Sequence, residues 1–105
     1  MLPRITIITI CYNAASTISR TLRSVQAQTY PHLEYLVIDG ASRDTTLELV
    51  EELAPRAQVY SEPDRGIYDA MNKGLARATG DYVWYVNAGD ALAKVTTVED
   101  LVRVH

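Results

Sequence analysis

The alternation of strand and helix patterns constrains this chain more than any other feature. Residues 5–11, ITIITIC, and 33–39, LEYLVID, combine β-branched and other apolar residues without clean polar alternation, which is typical of strands covered on both faces. Shorter strands are predicted at 58–61 and 82–86. Because helical patterns separate these segments, the sequence predicts an α/β domain with about four mostly parallel strands, right-handed crossovers and helices on both faces.

Each predicted helix carries apolar residues at spacings of three and four. In the first helix these residues are Ile18, Leu22 and Val25, and either Ser16 or Thr17 is the predicted N-cap. Further helices are expected after Asp44 or Thr45, over residues 67–78 and over residues 97–104.

The third helix is predicted to turn Ile67, Met71 and Leu75 towards the sheet and to stop at Gly80. Tyr68 and Trp84 are expected to pack in or near the core.

The composition fits a single small domain. The chain has 105 residues, 48% of them hydrophobic and 22% charged, which indicates one domain over residues 1–105. A formal net charge of -3 without a basic stripe disfavours duplex nucleic acid as a partner. The lone Cys11 gives no disulfide framework, and no secretion signal or membrane span is recognisable. These features predict a cytoplasmic protein.

Polar residues follow the predicted carboxyl end of every strand, whereas the amino ends carry only generic surface residues such as Arg4, His32 and Asp81. In open parallel sheets, ligands bind beyond the carboxyl ends of the strands, where loops form a crevice. We therefore expect a ligand site at this edge. The candidate residues are Tyr12, Asn13, Asp39, Gly40, Glu62, Asp64, Arg65, Gly66, Asn87, Gly89 and Asp90.

Asp39 closes a buried strand and therefore needs hydrogen-bond donors, since an unpaired buried carboxylate is costly. It can accept bonds from the backbone of the following turn, as Asp does in Asx-turns. Alternatively, it can accept the imide N–H of a uracil or the amide of another base stacked on Tyr12. The residues themselves leave both interpretations open.

Asn87, Gly89 and Asp90 also have two interpretations. Their hard oxygen donors and small residue suit a magnesium or manganese ion that screens a pyrophosphate in an acidic chain. The same residue types are favoured in a plain turn after a strand.

Candidate cations for a phosphate are Arg43, Arg65 and Lys73, each of which could equally be a solvated surface charge. No GxGxxG or GxxxxGK[ST] motif is present, so the common dinucleotide and P-loop arrangements are not supported.

Four segments, in order, resemble the nucleotide-binding half of inverting family 2 glycosyltransferases with the Rossmann-like GT-A fold. They are TIITICYN, YLVIDGASRDTT, EPDRGIYDAMNKG and GDYVWYVNAGD, and the resemblance covers residues 3 to 92. It implies nucleotide-sugar-binding roles for Tyr12, Asn13, Asp39, Asp64, Arg65, Gly66, Asn72 and Asn87.

The resemblance also implies a divalent cation, Mg²⁺ or Mn²⁺. The cation-binding DxD element of the family falls on Asn87, Ala88 and Gly89, which lack its carboxylates. Asp90 then remains as the candidate metal ligand. Met71 stands where many members of the family have an arginine.

The implied reaction transfers a sugar from a nucleotide diphosphate sugar, UDP-linked, to an acceptor hydroxyl with inversion, in bacterial polysaccharide biosynthesis. The implied acceptor is a saccharide or a lipid-linked saccharide at the inner face of the membrane. Family members need roughly as many residues again for the acceptor cleft and the catalytic carboxylate. We therefore expect this chain to be the donor-binding half of such an enzyme, and we assign no catalytic residue.

The alternative is a non-catalytic nucleotide-binding or assembly module. An exposed edge of a four-stranded sheet tends to pair with another chain, so this alternative predicts a homo-oligomer.

Overall fold

A computed structural model describes residues 2–104 and shows four strands that alternate with four helices. They are β1 (Ile5–Cys11), α1 (Ile18–Gln26), β2 (Leu33–Asp39), α2 (Thr46–Leu53), β3 (Gln58–Ser61), α3 (Ile67–Arg77), β4 (Tyr82–Tyr85) and α4 (Thr97–Val104). Wherever the sequence predicted a range, the observed element agrees to within one residue. Within residues 2–104, no helix has the length and apolar character that crossing a membrane requires.

The four strands form one parallel sheet in the order β3-β2-β1-β4. Residues Ile5–Cys11 of β1 lie opposite Leu33–Asp39 of β2 along their whole length. These two strands occupy the middle of the sheet and are buried on both faces, as their apolar patterns predict. The shorter strands β3 and β4 form the edges.

Helices cover both faces of the sheet, as predicted, but unequally. On one face, α1, α2 and α4 bury Leu22, Val50 and Val98 in a common core with Ile7 and Val37 of the sheet. On the other face, α3 packs against a smaller cluster formed by side chains of β1 and β2.

The buried face of α3 differs from the prediction. Ile67 and Leu75 are 56% and 54% exposed, and the buried residues are Ala70 and Gly74. A Cβ atom at Gly74 would lie 2.9 Å from Cγ2 of Ile8, so the helix rests directly on the sheet. Only small side chains fit at such a contact, and the larger apolar residues are turned away from it.

The predictions that Tyr68 packs near the core and that Gly80 ends α3 are wrong, whereas the prediction for Trp84 is confirmed. Tyr68 is 78% exposed, whereas Trp84 packs against the core as expected. Gly80 does not end α3, which stops at Arg77. A Cβ atom at Gly80 would lie 2.5 Å from Oγ1 of Thr6 and 2.7 Å from its backbone nitrogen. Gly80 is therefore explained by close approach to β1.

The amino edge of the sheet carries more than generic surface residues. Glu34 is buried, and its Oε1 accepts bonds from the Thr6 hydroxyl at 2.8 Å and the Thr79 amide at 2.9 Å. Its Oε2 accepts from the Thr79 hydroxyl at 2.8 Å and from Arg4 Nη2 at 3.3 Å. This cluster, which we call the Glu34 clasp, ties β1 and β2 to the segment before β4.

Candidate functional site

The carboxyl ends of all four strands lie at one edge of the sheet because the strands are parallel. Cys11 and Asp39 are register partners at the ends of β1 and β2, and Ser61 of β3 pairs with Asp39. The amide of Gly40 donates to the carbonyl of Cys11 at 2.9 Å, which extends the β1–β2 pairing beyond Asp39. Tyr12 follows β1 directly, as the sequence predicted.

Asp39 is buried, with 1% of its residue surface exposed. Its carboxylate accepts four hydrogen bonds from other residues of the chain. Oδ2 accepts from the Ser42 amide and the Ser61 hydroxyl, both at 2.8 Å. Oδ1 accepts from the Ser42 hydroxyl at 2.5 Å and from Cys11 Sγ at 3.4 Å. A carboxylate offers about four acceptor positions, so these donors fill it. One of the four donors, the Ser42 amide, belongs to the backbone of the following turn, as the first interpretation of Asp39 expected, and the other three are side chains.

These contacts also determine how Asp39 and Cys11 ionise. Burial by itself raises the pKa of Asp39, but the hydrogen bonds from Ser42, Ser61 and Cys11 outweigh it and hold the pKa below its ordinary value. Burial, together with the neighbouring Asp39 carboxylate, raises the pKa of the Cys11 thiol. Cys11 therefore remains a protonated donor and is unsuited to act as a nucleophile.

Asn13 joins the loop after β1 to the loop after β2. Its amide donates to the Ser42 hydroxyl at 2.8 Å, and its Oδ1 accepts from the Arg43 amide at 2.8 Å. The backbone of Asn13 has a φ of 46°, a left-handed conformation that Asn tolerates better than most residues. The amide of Ala14 donates to the Thr46 hydroxyl at 2.9 Å. Asn13 thus fixes the shape of the loop beneath Tyr12.

Tyr12, Gly40 and Asp64 meet at the centre of this edge. A Cβ atom at Gly40 would lie 2.8 Å from Oδ2 of Asp64 and 3.4 Å from Cδ1 of Tyr12. Asp64 Oδ1 accepts from the Gly66 amide at 3.1 Å, and Tyr12 remains 60% exposed. The structure therefore places an accessible aromatic ring beside a carboxylate that comes from the loop before α3.

The other residues predicted before and within α3 are more dispersed. Gly66 has a φ of 117° and occupies the N-cap position, and the Arg65 amide donates to Asp69 Oδ2 at 2.9 Å. The Arg65 side chain is exposed, as is Asn72 further along the helix. Nζ of Lys73 lies 3.2 Å from Oε1 of Glu62 and 3.4 Å from Oδ2 of Asp69. This candidate cation is therefore already paired with two carboxylates of the chain.

The residues after β4 form a tight turn at the same edge. The Asp90 amide donates to the Asn87 carbonyl at 3.0 Å, and Gly89 has a φ of 100°. Thr21 of α1 holds this turn: its hydroxyl accepts from the Gly89 amide at 2.9 Å and donates to the Asp90 carbonyl at 2.5 Å. Thr17, the N-cap residue of α1, also lies close, since a Cβ atom at Gly89 would be 3.8 Å from Cβ of Thr17.

Thr21 belongs to a row of polar side chains on α1 whose role was not predicted from the sequence. Ser24 Oγ accepts from the Leu92 amide at 3.0 Å, and Gln28 donates to the Lys94 carbonyl at 2.7 Å. The available signal was the spacing of three and four residues between Thr21, Ser24 and Gln28, which places them on one helical face. This row, which we call the α1 ladder, holds the irregular segment between β4 and α4.

The donor set for a cation is small. Among residues 2–104, no three His, Cys, Asp or Glu side chains cluster in a way that could hold a metal ion. Asn87 and Asp90 are both exposed and offer hard oxygen atoms. Magnesium commonly binds through one or two carboxylates together with substrate phosphates, so these two residues fit a cation that a ligand brings with it.

The site lies along the edge of the sheet where the parallel strands have their carboxyl ends. Two hollows of about 390 and 840 Å³ lie elsewhere, the smaller beside Leu47 and Val59 and the larger beside Tyr82 and Leu101. The predicted residues fall into two groups along the edge, one around Tyr12 and one at Asp90, with the beginning of α1 between them.

Residues 6–105 match the family described as Glycosyl transferase family 2. The chain belongs to glycosyltransferase family 2. Within this family, the chain is 39% identical over 103 residues to an uncharacterised glycosyltransferase of Mycobacterium tuberculosis, covering 96% of this chain and 39% of that protein. It is 36% identical over 96 residues to a putative teichuronic acid biosynthesis glycosyltransferase, TuaG of Bacillus subtilis, covering 88% of this chain and 38% of TuaG.

Solved structures confirm the GT-A type of fold. TarS of S. aureus (residues 1–349), in complex with UDP-GlcNAc, has a TM-score of 0.86 and 26% identity, with 95% of this chain and 30% of that chain covered. The mannosyltransferase PcManGT of Pyrobaculum calidifontis, in complex with GDP-Man and Mn²⁺, has a TM-score of 0.80 and 32% identity, with 90% and 30% covered. The chain thus spans about two-fifths of the length of the curated family 2 relatives described above.

Proposed function

We propose that this chain is the donor-binding half of a glycosyltransferase that transfers a sugar from a nucleoside diphosphate sugar to an acceptor hydroxyl with inversion. The observation that carries this proposal is the edge around Tyr12, where an exposed ring and a carboxylate meet above loops fixed by hydrogen bonds. A flat base can stack on such a ring while polar groups at its rim bind the rest of the nucleotide. The pathway proposed is bacterial polysaccharide biosynthesis, which the name of TuaG supports.

Each predicted residue has a proposed role along this edge. Tyr12 stacks on the base, and Asn13 keeps the loop beneath it in shape. Asp64, Gly66 and Arg65 line the loop before α3, where Arg65 offers an exposed positive charge to the diphosphate. Asn72 is proposed to bind the nucleotide sugar from α3. For Asp39, a direct contact with the base requires one of its four present donors to move.

The turn after β4 is the proposed cation site. Asp90 and Asn87 would hold a Mg²⁺ or Mn²⁺ ion that also binds the diphosphate, and the ion would screen the phosphate charges in a chain of net charge -3. The complex of PcManGT with both GDP-Man and Mn²⁺ supports this proposal. A UDP-linked donor is supported by the UDP-GlcNAc in TarS.

The proposed acceptor is a saccharide or a lipid-linked saccharide. A lipid-linked acceptor would place the reaction in the cytoplasm at the inner face of the membrane. We assign no residue of this chain as the base that deprotonates the acceptor hydroxyl.

An assembly role through the sheet edge is the second candidate. Within residues 2–104, β4 pairs with β1 alone, and Tyr82 on β4 is 63% exposed next to the larger hollow. Such an edge can associate with another chain. Light scattering over a range of protein concentrations tests this candidate, because a monomer of constant mass would remove its support.

Calorimetric titration of UDP into the chain tests the donor-binding proposal. We expect binding that strengthens when Mn²⁺ is added and weakens in EDTA. The Asp90→Ala variant should bind UDP in Mn²⁺ about as weakly as the wild type does in EDTA, whereas Asp81→Ala at the amino edge should behave like the wild type. No heat at millimolar UDP or GDP, with or without Mn²⁺, would reject the proposal.

A further inference from the structure

We propose that Lys73 and Asp69 of α3 are positioning residues for the nucleotide site. Their side chains hold residues 62–66, which we call the 62–66 loop, in the shape in which it binds a nucleoside diphosphate. This inference rests on the proposed function and deepens it, because the loop carries Asp64 and Arg65 of the proposed site. Lys73 is one of the cations that the sequence offered for a phosphate, and it receives a different role here.

The 62–66 loop joins β3 to α3 at the surface. Its residues are exposed apart from Asp64, which is half-buried. The loop is anchored at its start, where the Glu62 amide donates to the Asp39 carbonyl at 3.0 Å. A surface loop is mobile unless further bonds restrain it, and a mobile loop loses conformational entropy when a ligand orders it. The bonds that restrain this loop therefore affect the affinity for the nucleotide.

Two side chains one turn apart on α3 restrain the loop backbone. Nζ of Lys73 donates to the Pro63 carbonyl at 2.9 Å, and Oδ2 of Asp69 accepts from the Arg65 amide at 2.9 Å. The two side chains also pair with each other, with Nζ and Oδ2 3.4 Å apart. The backbone is thus held immediately before and immediately after Asp64.

The ammonium group of Lys73 uses its donors within the chain. Such a group has three N–H donors. Three oxygen atoms lie around Nζ of Lys73: the Pro63 carbonyl at 2.9 Å, Oε1 of Glu62 at 3.2 Å and Oδ2 of Asp69 at 3.4 Å. A direct bond from Lys73 to a phosphate would replace one of these contacts and weaken the support of the loop.

The charge of Asp69 separates the two possible roles of Lys73. A carboxylate next to the Arg65 amide repels a diphosphate bound at this loop. If Lys73 bound the phosphates directly, loss of Asp69 would free its ammonium group and remove a negative charge, so the nucleotide would bind more tightly. If the pair holds the loop, loss of Asp69 weakens binding in spite of the improved electrostatics.

Calorimetric titration of UDP and of GDP in Mn²⁺ tests the inference. We expect Lys73→Met to bind the preferred nucleotide about tenfold more weakly, which is roughly the cost of ordering one additional loop residue on binding. Asp69→Ala should weaken binding by a similar factor. The double variant should bind within about twofold of the weaker single variant, because each substitution already breaks the same brace.

Two further measurements separate loop positioning from a loss of folding. Exposed ion pairs contribute little to stability, so Lys73→Met and Asp69→Ala should melt near the wild-type temperature. In the chain without nucleotide, hydrogen exchange at the Arg65 amide should be faster in Lys73→Met than in the wild type. Exchange at the Gly40 amide, which donates to the Cys11 carbonyl, should be unchanged.

Arg56→Met is the matched control. It removes one exposed positive charge from the segment between α2 and β3, at the amino edge of the sheet. This variant should keep the wild-type affinity and the wild-type exchange at Arg65.

The inference is overturned if Asp69→Ala binds the nucleotide as tightly as the wild type or more tightly. It is also overturned if Lys73→Met keeps the wild-type affinity, and in both cases the proposed function stands because the wild type binds. A wild type that binds neither UDP nor GDP would overturn the proposed function and this inference with it.

Discussion

The hydroxyl of Thr21 on α1 lies 2.9 Å from the amide nitrogen of Gly89 in the turn after β4. The same hydroxyl donates to the Asp90 carbonyl at 2.5 Å, so one side chain satisfies both a donor and an acceptor of the turn. Thr21 itself is fully buried. A helix that packs on the sheet therefore fixes the backbone that carries the proposed cation ligand.

Replacement of Thr21 by Val removes this hydroxyl while keeping the shape of the side chain. The Gly89 amide and the Asp90 carbonyl lose their partner, and we expect the free energy of unfolding to fall by about 1–3 kcal/mol. Urea denaturation measures this change. In calorimetry, Thr21→Val should also reduce the gain in UDP affinity that Mn²⁺ provides, because Asp90 is no longer held in place.

Two variants serve as controls for Thr21. Thr21→Ser keeps the hydroxyl and should retain the Mn²⁺-dependent gain. Ser24→Ala breaks the α1 ladder at Leu92, away from the turn, and should lower stability without changing that gain. Equal Mn²⁺ dependence in Thr21→Val and Thr21→Ser would show that the hydroxyl does not position the cation ligand.

Tyr12 is expected to provide stacking through its ring. Tyr12→Ala should weaken UDP binding by about 1–3 kcal/mol, the usual range for loss of an aromatic platform under a base. Tyr12→Phe keeps the ring and should bind nearly as the wild type does. Tyr82→Ala removes an equally exposed tyrosine from the amino end of β4 and should have no effect on calorimetric affinity. Loss of binding in Tyr12→Phe would argue against stacking as the main role.

The small-residue face of α3 predicts that the same substitution, Ala to Leu, has a large effect on stability at one position of the helix and a small effect at another. Ala70→Leu adds volume where the helix touches Ile8 and Ile38, so it should destabilise the chain by about 1–3 kcal/mol. Ala76→Leu makes the same change on the exposed face and should stay within about 0.5 kcal/mol of the wild type. Chemical denaturation measures both, and similar values would contradict the close packing of α3.

The Glu34 clasp predicts a pH dependence of stability. Burial alone raises the pKa of Glu34, but the bonds from Thr79, Thr6 and Arg4 outweigh it, and the folded-state pKa lies below the ordinary value. The stabilisation is therefore complete above the unfolded pKa of about 4.3 and is lost as the pH falls through the lower folded value.

Thermal melting of Glu34→Gln tests this dependence. The variant should melt below the wild type at pH 7, and the difference between the two should shrink below about pH 4. Glu51→Gln, on the exposed face of α2, should follow the wild type at every pH. A constant gap between wild type and Glu34→Gln from pH 7 to pH 3 would contradict the role assigned to the clasp.

The sequence predicted the elements well because β1 and β2 are nearly continuous runs of β-branched and other apolar residues, whereas the apolar residues of α1 recur at spacings of three and four. It also predicted the polar residues at the carboxyl ends, since this edge follows from parallel strands alone. It failed at α3, where Ile67, Met71 and Leu75 have helical spacing but the contact distance admits only Ala70 and Gly74. Periodicity records which residues are apolar and carries no information about how close two elements approach.

The hydrogen-bond partners of individual polar side chains could not be predicted from the sequence, for a different reason. Whether Asp39 faces a ligand or a turn depends on where Ser61 and Cys11 lie, and these residues are distant along the chain. In the sequence, Glu34 is an ordinary strand residue, and its role depends on the bonds that Thr79 and Arg4 donate to it in the folded chain. Such clusters depend on tertiary structure, so motif and spacing arguments could name the residues at the site without assigning their bonds.

The measurement that tests the central claim most directly is the mapping of backbone amide chemical shifts by NMR as UDP and Mg²⁺ are added. We expect the largest shifts at the amides of Tyr12, Asn13, Gly40, Gly66 and Asp90, and little change at Thr79 and Gly80 of the amino edge. No shifts at millimolar nucleotide, or shifts confined to the amino edge, would contradict a nucleotide site at the carboxyl ends of the strands.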